Sequence, residues 1–204
     1  MDTTRLPIAE LKSTKAKELA DRAAIYQDLT FCVACCQRAI DNLGAETPDP
    51  VLTRALWTAA LVSYARCFAS GVRYGLTSDL FGHFEGEPRE VHEYYLELRN
   101  KHIAHSVNPF EQIVIGAILS ASDAETKNVE GIATLVGTNV SESIQSIEQF
   151  RTLATTALKH IARAGKELTE EVLEEAKGLP IDDLYQRATP RVTIPLRKLA
   201  STRR

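Results

Sequence analysis

The chain has 204 residues, a net charge of −3 and ordinary apolar and charged fractions, so it is long enough to bury a sizeable core. That composition excludes a globally basic nucleic-acid binder, and no apolar run approaches the ~18 residues of a membrane span. The opening "MDTTRLPIAELK" has no apolar stretch followed by a cleavage site, so the expected setting is cytoplasmic, with no membrane partner.

In chain order, residues 8–43 are predicted to form one long helix. Leu11, Leu19, Ala23, Tyr26, Phe31, Ala34 and Ile40 recur at helical spacings, and Gly44 is a stop. The chain holds four cysteines, and Cys32, Cys35 and Cys36 lie within this helix in "FCVACCQ" on one face; Cys67 comes later. A metal site is conceivable, but no His is near and no second Cys pair follows, so small thiols packed between helices are the expected role. No metal or cofactor is predicted.

After "ETPDP", Asp49 is a predicted N-cap and Pro50 fits a first helical turn. Residues 50–73 are predicted to form a central helix, with Trp57, Leu61, Tyr64 and Phe68 on its inner face. A connector, "YGLTSDLFGHFEGEP", leads to a helix from Pro88 to about residue 105. Two β-branched runs, "QIVIGAILSA" and "IATLVGT", flank a polar turn and predict a β-hairpin near 112–138. Ser141 is the predicted cap of a helix over roughly 142–165, with Ile144, Ile147, Phe150, Ala154, Leu158 and Ile161 facing inward.

A division is placed between a helical domain at 1–165 and an appendage at 166–204. Thr169 is read there as the cap of a short acidic helix, and the rest as an irregular tail. Residues 166–183 hold seven acids, whereas 187–204 hold only basic charges: Arg187, Arg191, Arg197, Lys198, Arg203 and Arg204. A solvated acidic helix with a loose tail is the plain reading, and a basic arm touching RNA or a partner the alternative.

The third helix ends in "EYYLELRNKHIAHSVNPF". Val91, Tyr95, Leu98, His102 and His105 form a seam with spacings of four, three, four and three. An apolar stripe that turns into two imidazoles beside Arg99 points to an end that opens on water, a partner or a site. Simple capping is the competing explanation, since cations and imidazoles near a helix C-terminus are favoured by the dipole by ~0.3–1 kcal/mol each. On one straight helix Arg99 and His105 are about 120° and ~9 Å apart, and Arg99 leans away. Convergence therefore needs a bend, a bridging role for His102, or a second copy; a homodimer built on Val91, Tyr95, Leu98 and His102 is the expectation.

These residues carry a resemblance. "LRNKHIAHS" resembles the signature of the HEPN superfamily: an Arg, a polar residue, then a His after four to six intervening residues at a helix end. Arg99, Asn100 and His105 fill it, and "YARCF" on the preceding helix and the helical order are similar too. The resemblance spans roughly residues 10–165, with its specific motif at 99–105. It implies a mainly α fold, a HEPN-like helical bundle, often dimeric, here with a small inserted hairpin. It further implies a metal-independent endoribonuclease, a toxin or antiviral and abortive-infection effector, with RNA as substrate and an antitoxin protein as possible partner. Val107 stands where a nucleotidylated subgroup has Tyr, so that control is not implied.

The residue chemistry is compatible. RNA cleavage through the substrate's own 2′-OH needs a group that titrates near neutrality, which His105 supplies, with His102 as a second acid–base group or an interface residue. It also needs a fixed cation for charge on the phosphoryl oxygens, which suits Arg99, with Asn100 orienting a phosphate or the 2′-OH. A non-catalytic nucleotide- or partner-binding module of the same fold is the alternative; a capped scaffold helix and a metal enzyme follow.

Overall fold

A computed structural model describes residues 7–69, 74–82, 87–102, 111–138 and 143–188. Its helices are α1 (Thr14–Leu43), α2 (Pro50–Cys67), α3 (Pro88–His102), α4 (Ile144–Lys177) and α5 (Ile181–Arg187), with a short 3₁₀ turn at Ser78–Phe81. Two antiparallel strands, β1 (Glu111–Leu119) and β2 (Val129–Thr138), lie between α3 and α4. The protein is thus mainly helical with a small inserted hairpin, as the pattern predicts. No helix among the described residues is long and apolar enough to cross a membrane.

Cross-helix bonds fix the directions. Lys15 pairs with Glu171, Arg22 donates to the Ala164 carbonyl, and Arg151 donates to Gln37, so α1 and α4 run antiparallel. Asn42 bonds Thr53 while Cys67 approaches the Ile25 carbonyl, so α1 and α2 are antiparallel too. Tyr64 and Trp57 on α2 meet His92 and Tyr95 on α3, which gives the third reversal. The result is an up–down–up–down arrangement in which α1 packs along both α2 and α4.

Local chemistry explains the ends. The Asp49 carboxylate accepts from the Val51 and Leu52 amides beside Pro50, and Ser143 caps α4 through the Ser146 amide. Ser141, the predicted cap, lies outside the described residues. The helices over 8–43 and 50–73 start later and end earlier than predicted, at Thr14 and Cys67.

Two expectations are corrected. The inner face of α1 is Ile25, Leu29, Cys32, Cys35, Cys36 and Ala39, whereas Tyr26 and Phe31 are 45% and 53% exposed and Ala23 and Ala34 are also outside. Cysteine and alanine are small enough to let α2 and α4 both close on α1, so the bulky residues are turned out. The four thiols are buried, and burial raises the Cys35 pKa. Second, α4 runs unbroken through Gly165, so the division at 165/166 falls inside one helix. Thr169 does not cap: its hydroxyl donates back to the Gly165 carbonyl, while Leu168 and Val172 are buried. The acidic run is the exposed side of this continued helix.

Truncations in the core distinguish the two sets of aromatics. Phe150→Ala is expected to lower unfolding free energy by about 3–5 kcal/mol and Phe31→Ala by under ~0.5 kcal/mol in urea titrations. Equal losses would show that Phe31 is packed.

Candidate functional site

Helix α3 has a dry half and a wet end. Its inner residues His92, Tyr95 and Leu98 are buried, and Val91 is partly buried against the same core. Tyr95 meets Trp57 edge-on and Phe150 at a tilt, and its hydroxyl donates to the Ser146 carbonyl at 2.9 Å. This overturns the expected dimer seam. Tyr95 and Leu98 are used up by the chain's own core, because α2 and α4 bring aromatic rings to both sides of them.

One turn beyond Tyr95 the helix reaches the end of the bundle where α2 and α4 begin. Arg99 is half-buried there and Asn100 exposed. The Arg99 Nη1 donates to Asn100 Oδ1 at 2.9 Å. Its Nε is buried and has no hydrogen-bond partner among the described residues. That bond occupies the Asn100 oxygen and holds the guanidinium as a plane with donors unspent. The chain continues from Arg99 to His102, the last residue of α3, while His105 lies outside the described residues. Of the predicted site, the structure thus joins Arg99 and Asn100 directly.

No family model, curated protein or solved structure matches the chain. The geometry of the site therefore carries the functional argument.

Two features escape a reading of the sequence. His92 is enclosed by Tyr64, Phe68 and Phe81, and its Nδ1 bonds the Tyr64 hydroxyl at 2.9 Å. Burial pushes its pKa down to about 4, with Glu93 opposing and Arg89 assisting. It is a core histidine, and its only sequence signal is its place one residue after Val91, within the turn that faces α2. The other feature is an open groove of about 870 Å³ between the 74–80 segment and α4, lined by Tyr74, Asp79, Lys159, His160 and Arg163 among others. The segment is anchored by the Tyr74 amide on Asp21 and by the Arg22 guanidinium 5.2 Å over the Tyr74 ring. Gly75 is needed there, since a Cβ would sit 3.0 Å from the Ala69 carbonyl. In sequence, Lys159 and Arg163 are indistinguishable from a solvated face at a spacing of four.

The depressed His92 pKa has a sign. The unfolded chain binds the proton near pH 6.5 and the folded chain only near 4, so stability is full above 6.5 and falls as pH drops toward 4. The loss over that window should be roughly 3 kcal/mol. Urea titrations from pH 7 to 4 are expected to show it, and His92→Phe to flatten it, at the cost of an unpartnered Tyr64 hydroxyl at all pH values.

Proposed function

We propose that the chain is a metal-independent endoribonuclease of HEPN type, acting as a toxin or as an antiviral or abortive-infection effector. The observation that carries this reading is the Arg99 guanidinium: held by Asn100 and seated at the bundle end, with its Nε buried and unpartnered among the described residues. In this reading the terminal nitrogens not spent on Asn100, and not the buried Nε, meet the phosphoryl group.

In this reading His105, six residues on, takes the proton from the substrate 2′-OH. The 2′ oxygen attacks the adjacent phosphorus, and the bond to the 5′ oxygen breaks. A second acid, for which His102 or the partner copy's His set is available, returns a proton to that leaving oxygen. Arg99 stabilises charge on the non-bridging oxygens. None of these roles uses a metal, and DNA lacks the nucleophile. A two-fold pair bringing two Arg–His sets together must use a surface other than the Tyr95–Leu98 seam. An antitoxin protein that covers this end is the expected cognate partner.

Purified protein incubated with defined RNAs in EDTA tests the reading. Cleavage leaving 2′,3′-cyclic phosphate ends is expected. His105→Ala should lower the rate by ~10²–10⁴-fold with helicity unchanged. Arg99→Lys should also fail, because a point charge does not replace the planar fork. Full activity in His105→Ala, or cleavage only with a divalent ion, would remove the assignment.

A second reading, a nucleotide- or partner-binding module without catalysis, is favoured by the Tyr74–Lys159–Arg163 groove. Lys159 and Arg163 form no ion pair with any described carboxylate, and the groove is large enough for a nucleoside phosphate. If wild type binds ATP or a short RNA without cutting it, and Lys159→Glu with Arg163→Glu weakens that binding at least ~10-fold, this second reading replaces the first.

A further inference from the structure

The groove between the 74–80 segment and α4 has one wall that is tied down and one that is unanswered. On the tied wall, the Leu76 amide donates to the Cys67 carbonyl at 2.8 Å and the Tyr74 amide to the Asp21 carboxylate at 3.0 Å. Leu76 is buried in the core, as is Phe81 just past the segment. These ties set the wall before any ligand arrives, which lowers the ordering cost of binding. Tyr74 remains 38% exposed and lines the groove together with Leu76 and Leu80.

The facing wall is one stripe of α4. Thr156, Lys159, His160 and Arg163 are related by spacings of three and four, and all four line the groove. Lys159 and Arg163 are exposed and one helical turn apart, with Cβ atoms about 5–6 Å from each other. Like charges at that spacing disfavour a helix. No hydrogen bond or ion pair joins Lys159, His160 or Arg163 to another described residue. Along the α1–α4 contact, by comparison, Lys15 pairs with Glu171, Arg22 with Glu18 and Arg151 with Gln37. Asp79 lies on the other wall, where it accepts from the Thr77 hydroxyl at 3.3 Å. The stripe is also remote from Arg99. Ser146 meets Tyr95 one turn before Arg99, and α4 rises about 20 Å from Ser146 to Lys159.

A groove divided in this way selects a ligand divided in the same way. Two cations one turn apart, with an imidazole between them, match an anion that carries charge on more than one group. Arg163 supplies a planar fork and Lys159 a point charge on a flexible stem, and together they can span adjacent phosphoryl groups. Opposite them, the Tyr74 ring offers a surface for a flat body, and the Asp79 carboxylate can accept from a hydroxyl on that body. We propose that the groove binds the pyrophosphoryl end of a small polyphosphorylated ligand, with its phosphoryl groups on Lys159, His160 and Arg163 and its flat, hydroxylated body against Tyr74. The inference rests on the second reading above, in which this groove holds a ligand, and it assigns a part of that ligand to each wall. It does not depend on cleavage at Arg99.

Calorimetric titration of the full chain with ATP, AMP, adenosine and inorganic pyrophosphate, in EDTA so that no divalent ion masks the phosphates, tests the proposal. ATP is expected to bind at least ~10-fold more tightly than AMP, pyrophosphate to compete with it, and adenosine not to compete. Lys159→Met with Arg163→Met keeps the stems and removes the charges, and should weaken ATP and pyrophosphate alike on the order of 100-fold. Tyr74→Ala should weaken ATP about 10-fold and leave pyrophosphate within about twofold, with helical circular dichroism unchanged. Arg99→Ala should change neither. Binding of ATP without competition from pyrophosphate keeps the second reading and overturns this inference, as does binding of a short RNA alone. Binding of neither ATP nor RNA removes both. Equal losses of ATP and pyrophosphate in Tyr74→Ala overturn the assigned orientation, and binding lost in Arg99→Ala but kept in the double variant overturns the assigned site.

Discussion

The packing of Trp57, Tyr95 and Phe150 is the contact on which the rest depends. Trp57 meets both rings edge-on, at 5.9 Å from Tyr95 and 5.1 Å from Phe150. Helix α3 comes to the bundle through these long side chains, whereas α1 lies closely along α2 and α4. Edge-to-face pairs add about 0.5–1.5 kcal/mol each beyond the area they bury, and they also fix rotation. Rotation matters here, because it decides which residues of α3 leave the core first. With Tyr95 and Leu98 turned inward, Arg99 and Asn100 emerge at the bundle end side by side.

The same helix carries two very different polar positions. At its dry half, His92 is tolerated because Tyr64 answers one ring nitrogen and aromatic faces enclose the rest. Low polarity around it favours the neutral ring, so it adds no charge to the core. At the wet end, Arg99 is only half-buried and water reaches part of it. The helix is thus positioned by its neutral imidazole and its tyrosine, and its cation lies where the helix leaves the core.

Much of this was legible in the sequence, and for definite reasons. Asp49–Pro50, Gly44 and the β-branched runs on either side of a polar turn act through neighbouring residues, so α2, the end of α1 and the hairpin follow from local pattern. The inner face of α1 did not, since Tyr26 and Phe31 look more buried than Cys32 or Ala39 until the closeness of two flanking helices is known. Thr169 reads as a cap because a hydroxyl serves as well at a helix start as on the i−4 carbonyl inside a helix. Burial of Leu168 and Val172 carries the helix past it. At the site, Arg99 and Asn100 stood out through their company, but Tyr74 and Lys159 are 85 residues apart in the chain and only the fold unites them.

Two arginine nitrogens are buried without partners among the described residues, Nε of Arg22 and of Arg99, and such groups call for a reason. For Arg22 the reason is structural. Its terminal nitrogens donate to the Ala164 carbonyl and to Glu18, and its plane covers Tyr74, so it ties α1, α4 and the 74–80 segment together. An unmet Nε is a small loss against that set. Arg99 has no comparable return within the described fold. It bonds its own neighbour, Asn100, and joins no second element through any described hydrogen bond. A fold gains little from holding a cation so, and a leucine in its place would bury well beside Leu98. Within the described fold the guanidinium is therefore a polar group whose Nε no described partner answers, in contrast to Arg22, whose other contacts offset the same loss.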